Sequence, residues 1–392
     1  MASERRRARY ITKIEQIPEL SPGETLALGP VVDAFAFRTN AYYQGLIDWD
    51  DPEDPIRRLV IPTTRELESD GEWDASDEAS YTVAHGLEHK YPDTALLLVN
   101  NVCGAYCRFC FRKRLFTQDN DEVVHDLSEA LGYIRQHPEI DTVLLTGGDP
   151  LVMSTRRLEE IIQSLRQIEH VKTLRIGSKM PAFDPLRIVK DPELPAMLGR
   201  YVAPDRKIFL MAHFNHPREL TELALEGTAM MQQAGVATVN QTPLIRGVND
   251  NAAVLAELFN RLAHNGLLPY YLFICRPTKG NDPFSVPVER ALQLYEESRS
   301  QLSGLAKQAR LCMSHRSGKV EVLGIVDKKI LMRYHRAADP MDRDRIMSFD
   351  LDPEARWLDD YLHQTPGQSA APGENTTIAE VAGLEADFEV VV

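Results

Sequence analysis

The chain has 392 residues, of which 43% are hydrophobic and 26% charged, with a formal net charge of -14. That is enough chain for one large α/β domain with appendages, or for two average domains. The acidic balance argues against broad affinity for nucleic acid, and no apolar run approaches the ~20 residues that cross a bilayer. The basic start, MASERRRARYITKIEQ, has no apolar stretch behind it and so does not read as a secretory signal. A soluble cytoplasmic protein is the expectation.

Residues 1–90 read as a helical and loop-rich region punctuated by proline and acid, as in DWDDPEDPIRRLVIP at 48–62. The acidic stretch ESDGEWDASDEAS at 68–80 reads as an exposed loop. From Thr94 onward, short β-branched apolar runs alternate with amphipathic segments. The runs lie at 94–100, 141–147, 171–177, 206–214, 236–244 and 267–275. Helical periodicity falls at 121–137, 155–170, 217–235 and 251–266. In the first of these, Val123, Val124, Leu127, Leu131 and Ile134 form one apolar stripe, and Gly235 and Gly266 stand where helices should stop.

Six buried strands alternating with helices imply parallel pairing through right-handed crossovers. Polar residues cluster just after the strands, where barrel active sites are built. The expected fold is therefore α/β, a partial (β/α)6 TIM-like barrel over 91–310 with the helical N-terminal region before it. A C-terminal β-containing extension over 311–363, with a hairpin at 318–335, and a flexible acidic tail over 364–392 would follow.

Three of the five cysteines, Cys103, Cys107 and Cys110, fall within eight residues as C-x3-C-x2-C. Soft thiolates at such spacing suit an iron–sulfur cluster, with zinc as the alternative. Three thiols are one short of a closed structural zinc site. On a cubane cluster they would leave one iron open to a small-molecule ligand. A simple electron carrier would want a fourth protein ligand.

This loop resembles that of the radical S-adenosylmethionine (SAM) superfamily, whose reduced cluster cleaves SAM to a 5′-deoxyadenosyl radical. DWDDPEDPIRRLVIPTTREL, GLEHKYPDTALLLVNNVCGAYCRFCFRKR, TGGDPL, LRIGSKMP, HFNHPREL, VNQTPLIRGVNDN and SGKVEVLG extend the likeness. Over residues 40 to 335 the chain is similar to the lysine 2,3-aminomutase family. The resemblance implies that Cys103, Cys107 and Cys110 hold a 4Fe-4S cluster, and that Gly147, Gly148, Asp149, His213 and Gln241 meet SAM. It implies that Lys319 forms a Schiff base with pyridoxal 5′-phosphate (PLP), whose phosphate Lys90 and Tyr91 contact. Arg112 would bind the substrate α-carboxylate.

The departures matter as much. A phosphate-binding arginine of the family falls on Thr94, for which Arg316 is a candidate substitute. The two aspartates that hold a lysine substrate's distal ammonium fall on Arg276 and Cys312. An arginine there repels an ammonium, which points to PLP-assisted 2,3-amino migration on an amino acid other than free lysine. The alternative is a PLP-independent radical SAM enzyme acting on a small molecule or a protein residue. The family's dimer-bridging zinc cysteines have no counterpart, so no structural zinc is expected. The implied partners are an amino acid substrate and a reducing electron donor of the flavodoxin or ferredoxin type, with homo-oligomer formation left open.

Overall fold

The computed structural model describes residues 9–117 and 120–363; the tail expected over 364–392 lies outside them. One twelve-stranded sheet runs in strict chain order. Its strands are β1 (Thr82–Ala84), β2 (Leu87–Tyr91), β3 (Thr94–Asn100), β4 (Thr142–Gly147), β5 (Thr173–Ser178) and β6 (Lys207–Ala212), followed by β7 (Ala237–Leu244), β8 (Leu268–Ile274), β9 (Arg310–His315), β10 (Gly318–Val326), β11 (Lys329–Ala337) and β12 (Ile346–Asp350).

Strands β3 to β9 are parallel neighbours, and both flanks of the sheet are antiparallel. The six expected strands form a partial barrel, and β9 adds a seventh parallel member. The hairpin expected at 318–335 is β10–β11, and it continues the same sheet.

Crossover helices cover the outer face: α1 (Leu127–Gln136), α2 (Thr155–Arg166), α3 (Glu193–Arg200), α4 (Glu222–Gln233), α5 (Ala252–His264) and α6 (Val288–Arg299). Side-chain caps fix the starts of α1, α2, α4 and α5. Ser154 accepts from the Arg157 amide, and Asn251 from those of Ala253 and Val254. Gly235 and Gly266 have φ of 87° and 72°, the left-handed turn that stops a helix at little cost in glycine. The stripe expected to start at Val123 begins later. The α1 helix opens at Leu127 behind the Asp126 cap, because the Val124 amide is bonded to the Leu98 carbonyl of β3.

A main core packs helix stripes onto the sheet, from Leu97, Val143 and Leu174 to Leu258, Leu311 and Val320. A second core gathers Ile14, Val31, Ile56 and Leu59 of the N-terminal region against Ala105, Phe183, Ile245, Cys275 and Phe284. The N-terminal region thereby packs against the cysteine loop and the ends of β7 and β8. No described helix is long and apolar enough to cross a membrane.

Among the described residues the sheet does not close by backbone pairing. Side chains bridge the gap between β2–β3 and β9–β11. Lys90 Nζ donates to the His315 carbonyl at 2.7 Å, Tyr81 Oη to the Arg316 carbonyl at 2.9 Å, and Arg336 pairs with Asp93 and reaches Thr94 Oγ1 at 3.4 Å.

Candidate active site

A cavity of about 320 Å³ opens inside the curved sheet at the carboxyl ends of its strands. It brings together thirteen residues that the sequence singled out: Cys103, Cys107, Cys110, Gly147, Gly148, Asp149, His213, Gln241, Lys90, Tyr91, Arg112, Arg276 and Lys319. Cys312 and Arg316 are not among its lining. Cys312 is buried in the β9–β10 ladder opposite Glu321. Arg316 is exposed and pairs with Glu72 at 3.4 Å.

The cysteine loop is held from two sides. The Arg108 amide bonds the Leu59 carbonyl, the Tyr106 amide bonds that of Arg38, and Asn40 donates to the Gly104 carbonyl. Arg108 itself is 2% exposed, its guanidinium forked onto the fully buried Glu66 at 2.8 Å and bonded to the Ala36 carbonyl. On the other side, a Cβ at Gly147 would meet the Asn100 carbonyl oxygen at 2.5 Å, and one at Gly148 would meet the Val102 amide at 2.5 Å. Both glycines are required where the β4 end presses on the loop.

All five cysteines are free thiols. Among the described residues, His85, Asp121 and His125 bring three such ligand atoms within 4.8 Å of one another; the three cysteine sulfurs do not. A tetrahedral zinc would hold its sulfurs about 3.8 Å apart, whereas a cluster spreads its ligands over separate irons. Burial pushes all three thiols above their ordinary value, and for Cys103 the Asp149 carboxylate and the other two thiols add to it. Bound iron would reverse that balance. The loop fits a cluster.

Asp149 turns out to be a brace. Its carboxylate accepts from Ser178 Oγ at 2.7 Å and from the amides of Leu151, Lys179 and Met180, which ties β4 to β5. Burial still lifts it to about 6. His213 is lowered to about 4 by burial and by the Lys179 ammonium, so it is a neutral imidazole at the cavity wall. Lys179 is fixed by Glu219 at 2.5 Å and by the His213 carbonyl at 2.8 Å.

At the far end Lys319 stands among three rings, 5.8 Å from Tyr91, 5.5 Å from Tyr271 and 5.3 Å from Phe273. Burial lowers it to about 7, helped by the charges of Arg276 and Arg175. A fraction of its amine is therefore unprotonated and nucleophilic near neutrality. The lining carries seven basic side chains (Lys90, Arg112, Arg175, Lys179, Arg276, Lys319, Arg336) against three acidic ones (Glu78, Glu88, Asp149). In a chain of net charge -14, that is a local inversion of sign.

The 68–80 stretch is only in part the exposed loop its composition suggested: Ser69, Ala75, Ser76 and Glu78 are buried. A Cβ at Gly71 would meet the Thr278 backbone at 2.5 Å, and the Glu72 amide bonds the Pro277 carbonyl. Ser76 accepts from Arg276 at 2.6 Å, and Glu78 forks onto Arg112 at 2.7 Å while taking a second bond from Arg114. Asp74 and Glu78 are counterions of the little-exposed Arg112 and Arg114, a pairing that local composition does not register. Arg112 keeps Nη1 on Thr146 Oγ1 at 3.2 Å, at the cavity wall. Glu78 is held ionised at about 2: its two arginine partners outweigh its burial. Glu88, whose Oε1 lies 3.9 Å from Arg112 and takes no hydrogen bond, is lifted by burial and by Glu78 to about 8. Arg276 stacks on Phe111 at 3.5 Å.

A thiol-rich loop after the first parallel strand of a partial barrel, facing a glycine-lined strand end, defines a radical SAM enzyme. The model of the radical SAM superfamily matches residues 97–259. The chain is 53% identical over 357 residues to a putative L-lysine 2,3-aminomutase of Aquifex aeolicus, covering 91% of this chain and 96% of that protein. It is 38% identical to the L-lysine 2,3-aminomutase of Clostridium subterminale, over 76% of this chain and 71% of that one. It is 34% identical to the glutamate 2,3-aminomutase of Clostridioides difficile, over 76% and 69%. The chain belongs to the lysine 2,3-aminomutase family, a family of radical SAM isomerases that use a 4Fe-4S cluster and SAM.

Proposed function

We propose that the protein catalyses PLP-assisted 2,3-amino migration on an amino acid with an anionic or polar side chain, and not on free lysine. One observation carries the reading: Arg276 lies in the same cavity as Lys319 and the cysteine loop. A guanidinium at that wall repels a second ammonium and favours a carboxylate or another acceptor. The glutamate 2,3-aminomutase among the relatives is in keeping with this.

In this reading Cys103, Cys107 and Cys110 hold the cluster. Gly147 and Gly148 bring backbone to the methionyl end of SAM, Asp149 holds that turn in place, and His213 and Gln241 line the site. Lys319 joins PLP, with Lys90 and Tyr91 toward its phosphate. When bound, the cluster supplies the electron that cleaves SAM, and PLP a conjugated system able to carry unpaired electron density while nitrogen moves. The chain's own share is orientation and shielding. Arg112, aligned by Glu78, and Arg276, aligned by Phe111 and Ser76, present cations to the substrate, and the packed N-terminal region limits solvent at the mouth. A cytoplasmic setting and a flavodoxin- or ferredoxin-type electron donor suit thiols that must stay reduced.

The test is anaerobic turnover of the cluster-reconstituted protein with SAM, a reductant and PLP over a panel of glutamate, lysine and arginine derivatives, read by product mass spectrometry. A 2,3-shifted product from a glutamate-type substrate is expected, with none from lysine. Lys319→Ala should abolish that product while leaving reductive cleavage of SAM. Turnover of free lysine would refute the specificity, and a product from Lys319→Ala would refute the role of PLP.

A further inference from the structure

We propose that Arg336 is the residue that recognises the phosphate of PLP, and that Asp93 is the carboxylate the phosphate displaces from it. The inference rests on the assignment of PLP to Lys319. In PLP the phosphomethyl group sits on the ring carbon next to the one bearing the aldehyde, so the phosphate must lie within about a ring's width of the lysine amine.

Several cations surround Lys319, and their placement separates them. Arg276 is stacked on Phe111 and bonded to Ser76, toward the cysteine loop. Arg336 is the direct cross-strand partner of Lys319 in the β10–β11 ladder, which puts their side chains on one face of the sheet. A bulge between Lys319 and Val320 re-aims the pair at this point. The Arg336 guanidinium lies over the Tyr91 ring at 4.4 Å, the ring that flanks Lys319 on its other side. It lines the cavity and is 24% exposed.

The partners of Arg336 are Thr94 Oγ1 at 3.4 Å and Asp93, which also accepts from Thr94 Oγ1 at 2.7 Å. Asp93 is more than half exposed, so it can return to water when a doubly charged phosphate arrives. A planar guanidinium offers two parallel donors to phosphate, which the Lys90 ammonium does not. Lys90 Nζ is in addition held by the His315 carbonyl.

The reconstituted full-length enzyme, kept anaerobic, is titrated with PLP and with pyridoxal, which carries the same aldehyde but no phosphate. Bound carbonyl is read by borohydride trapping on the Lys319 peptide. Wild type should favour PLP, and Arg336→Gln should shrink the PLP-to-pyridoxal preference by about 10- to 100-fold, the contribution of a charge-assisted bond, while pyridoxal binding holds. Asp93→Asn should tighten PLP, an opposite sign that misfolding cannot imitate. An unchanged preference in Arg336→Gln, or weaker PLP binding in Asp93→Asn, overturns the inference. Wild type trapping both aldehydes equally removes the role of Arg336 and leaves Lys319 standing. Wild type trapping neither removes the PLP reading and this inference with it.

Discussion

Two titratable side chains in the cavity, Lys319 and Glu88, are displaced in opposite directions from ordinary values, and both for want of water. Lys319 titrates at about 7 in the folded chain against 10.5 when unfolded, because burial and nearby arginines oppose its charge. Between those values the unfolded state binds more protons than the folded one, so stability rises with pH across the window. Below about 7 the full cost of charging the buried amine is present. Lys319→Met should therefore be more resistant to urea at pH 7 and flatten the rise toward pH 10, as followed by denaturation midpoints without PLP. An unchanged slope would show that the amine is hydrated. Lys319 itself was legible in the sequence through SGKVEV, but Arg336, Tyr271 and Phe273 around it were not. They come from distant strands, and only the register of β8, β10 and β11 brings them to one point.

At the scale of elements, the contact between the cysteine loop and the end of β4 sets how the three thiols are presented. Gly148 touches Val102 with no room for a side chain. Gly148→Ala must push the loop away, and the expected outcome is iron and sulfide well below about four each per chain after reconstitution, with far-UV circular dichroism unchanged. Full iron content would show that the loop can shift without penalty. The strands and this turn could be read from sequence because apolar runs, glycines and cysteines are local signals. Helix α1 starts later than its apolar period suggests, since Val123 and Val124 continue that period but are recruited by β3. The 68–80 stretch differs from its composition for a related reason: Asp74 and Glu78 look like solvent-facing groups until Arg112 and Arg114 are set beside them.

Across the whole molecule, the N-terminal region and the barrel are joined at the Arg108–Glu66 pair, with Glu66 fully buried. Removing one member leaves a buried charge unpaired, which costs about 3–5 kcal/mol, while removing both costs less. Arg108→Gln should lower the denaturation midpoint sharply, and Arg108→Gln with Glu66→Gln should recover part of the loss. Equal losses in the single and double variants would mean that the pair is not coupled.

The gap in the sheet has a consequence of its own. The cysteine loop hangs from strands laced into a continuous ladder, where any exchange disturbs neighbours on both sides. The side chains of Lys90, Asp93 and Arg336 reach instead into the gap where two margins of the sheet meet without backbone pairing among the described residues. Trading one of these tips for another alters the width and sign of the chamber without cutting a backbone bond. The cysteine loop is thus anchored in the laced part of the wall, while the side chains around the proposed phosphate pocket occupy the gap, where exchanges carry small structural risk.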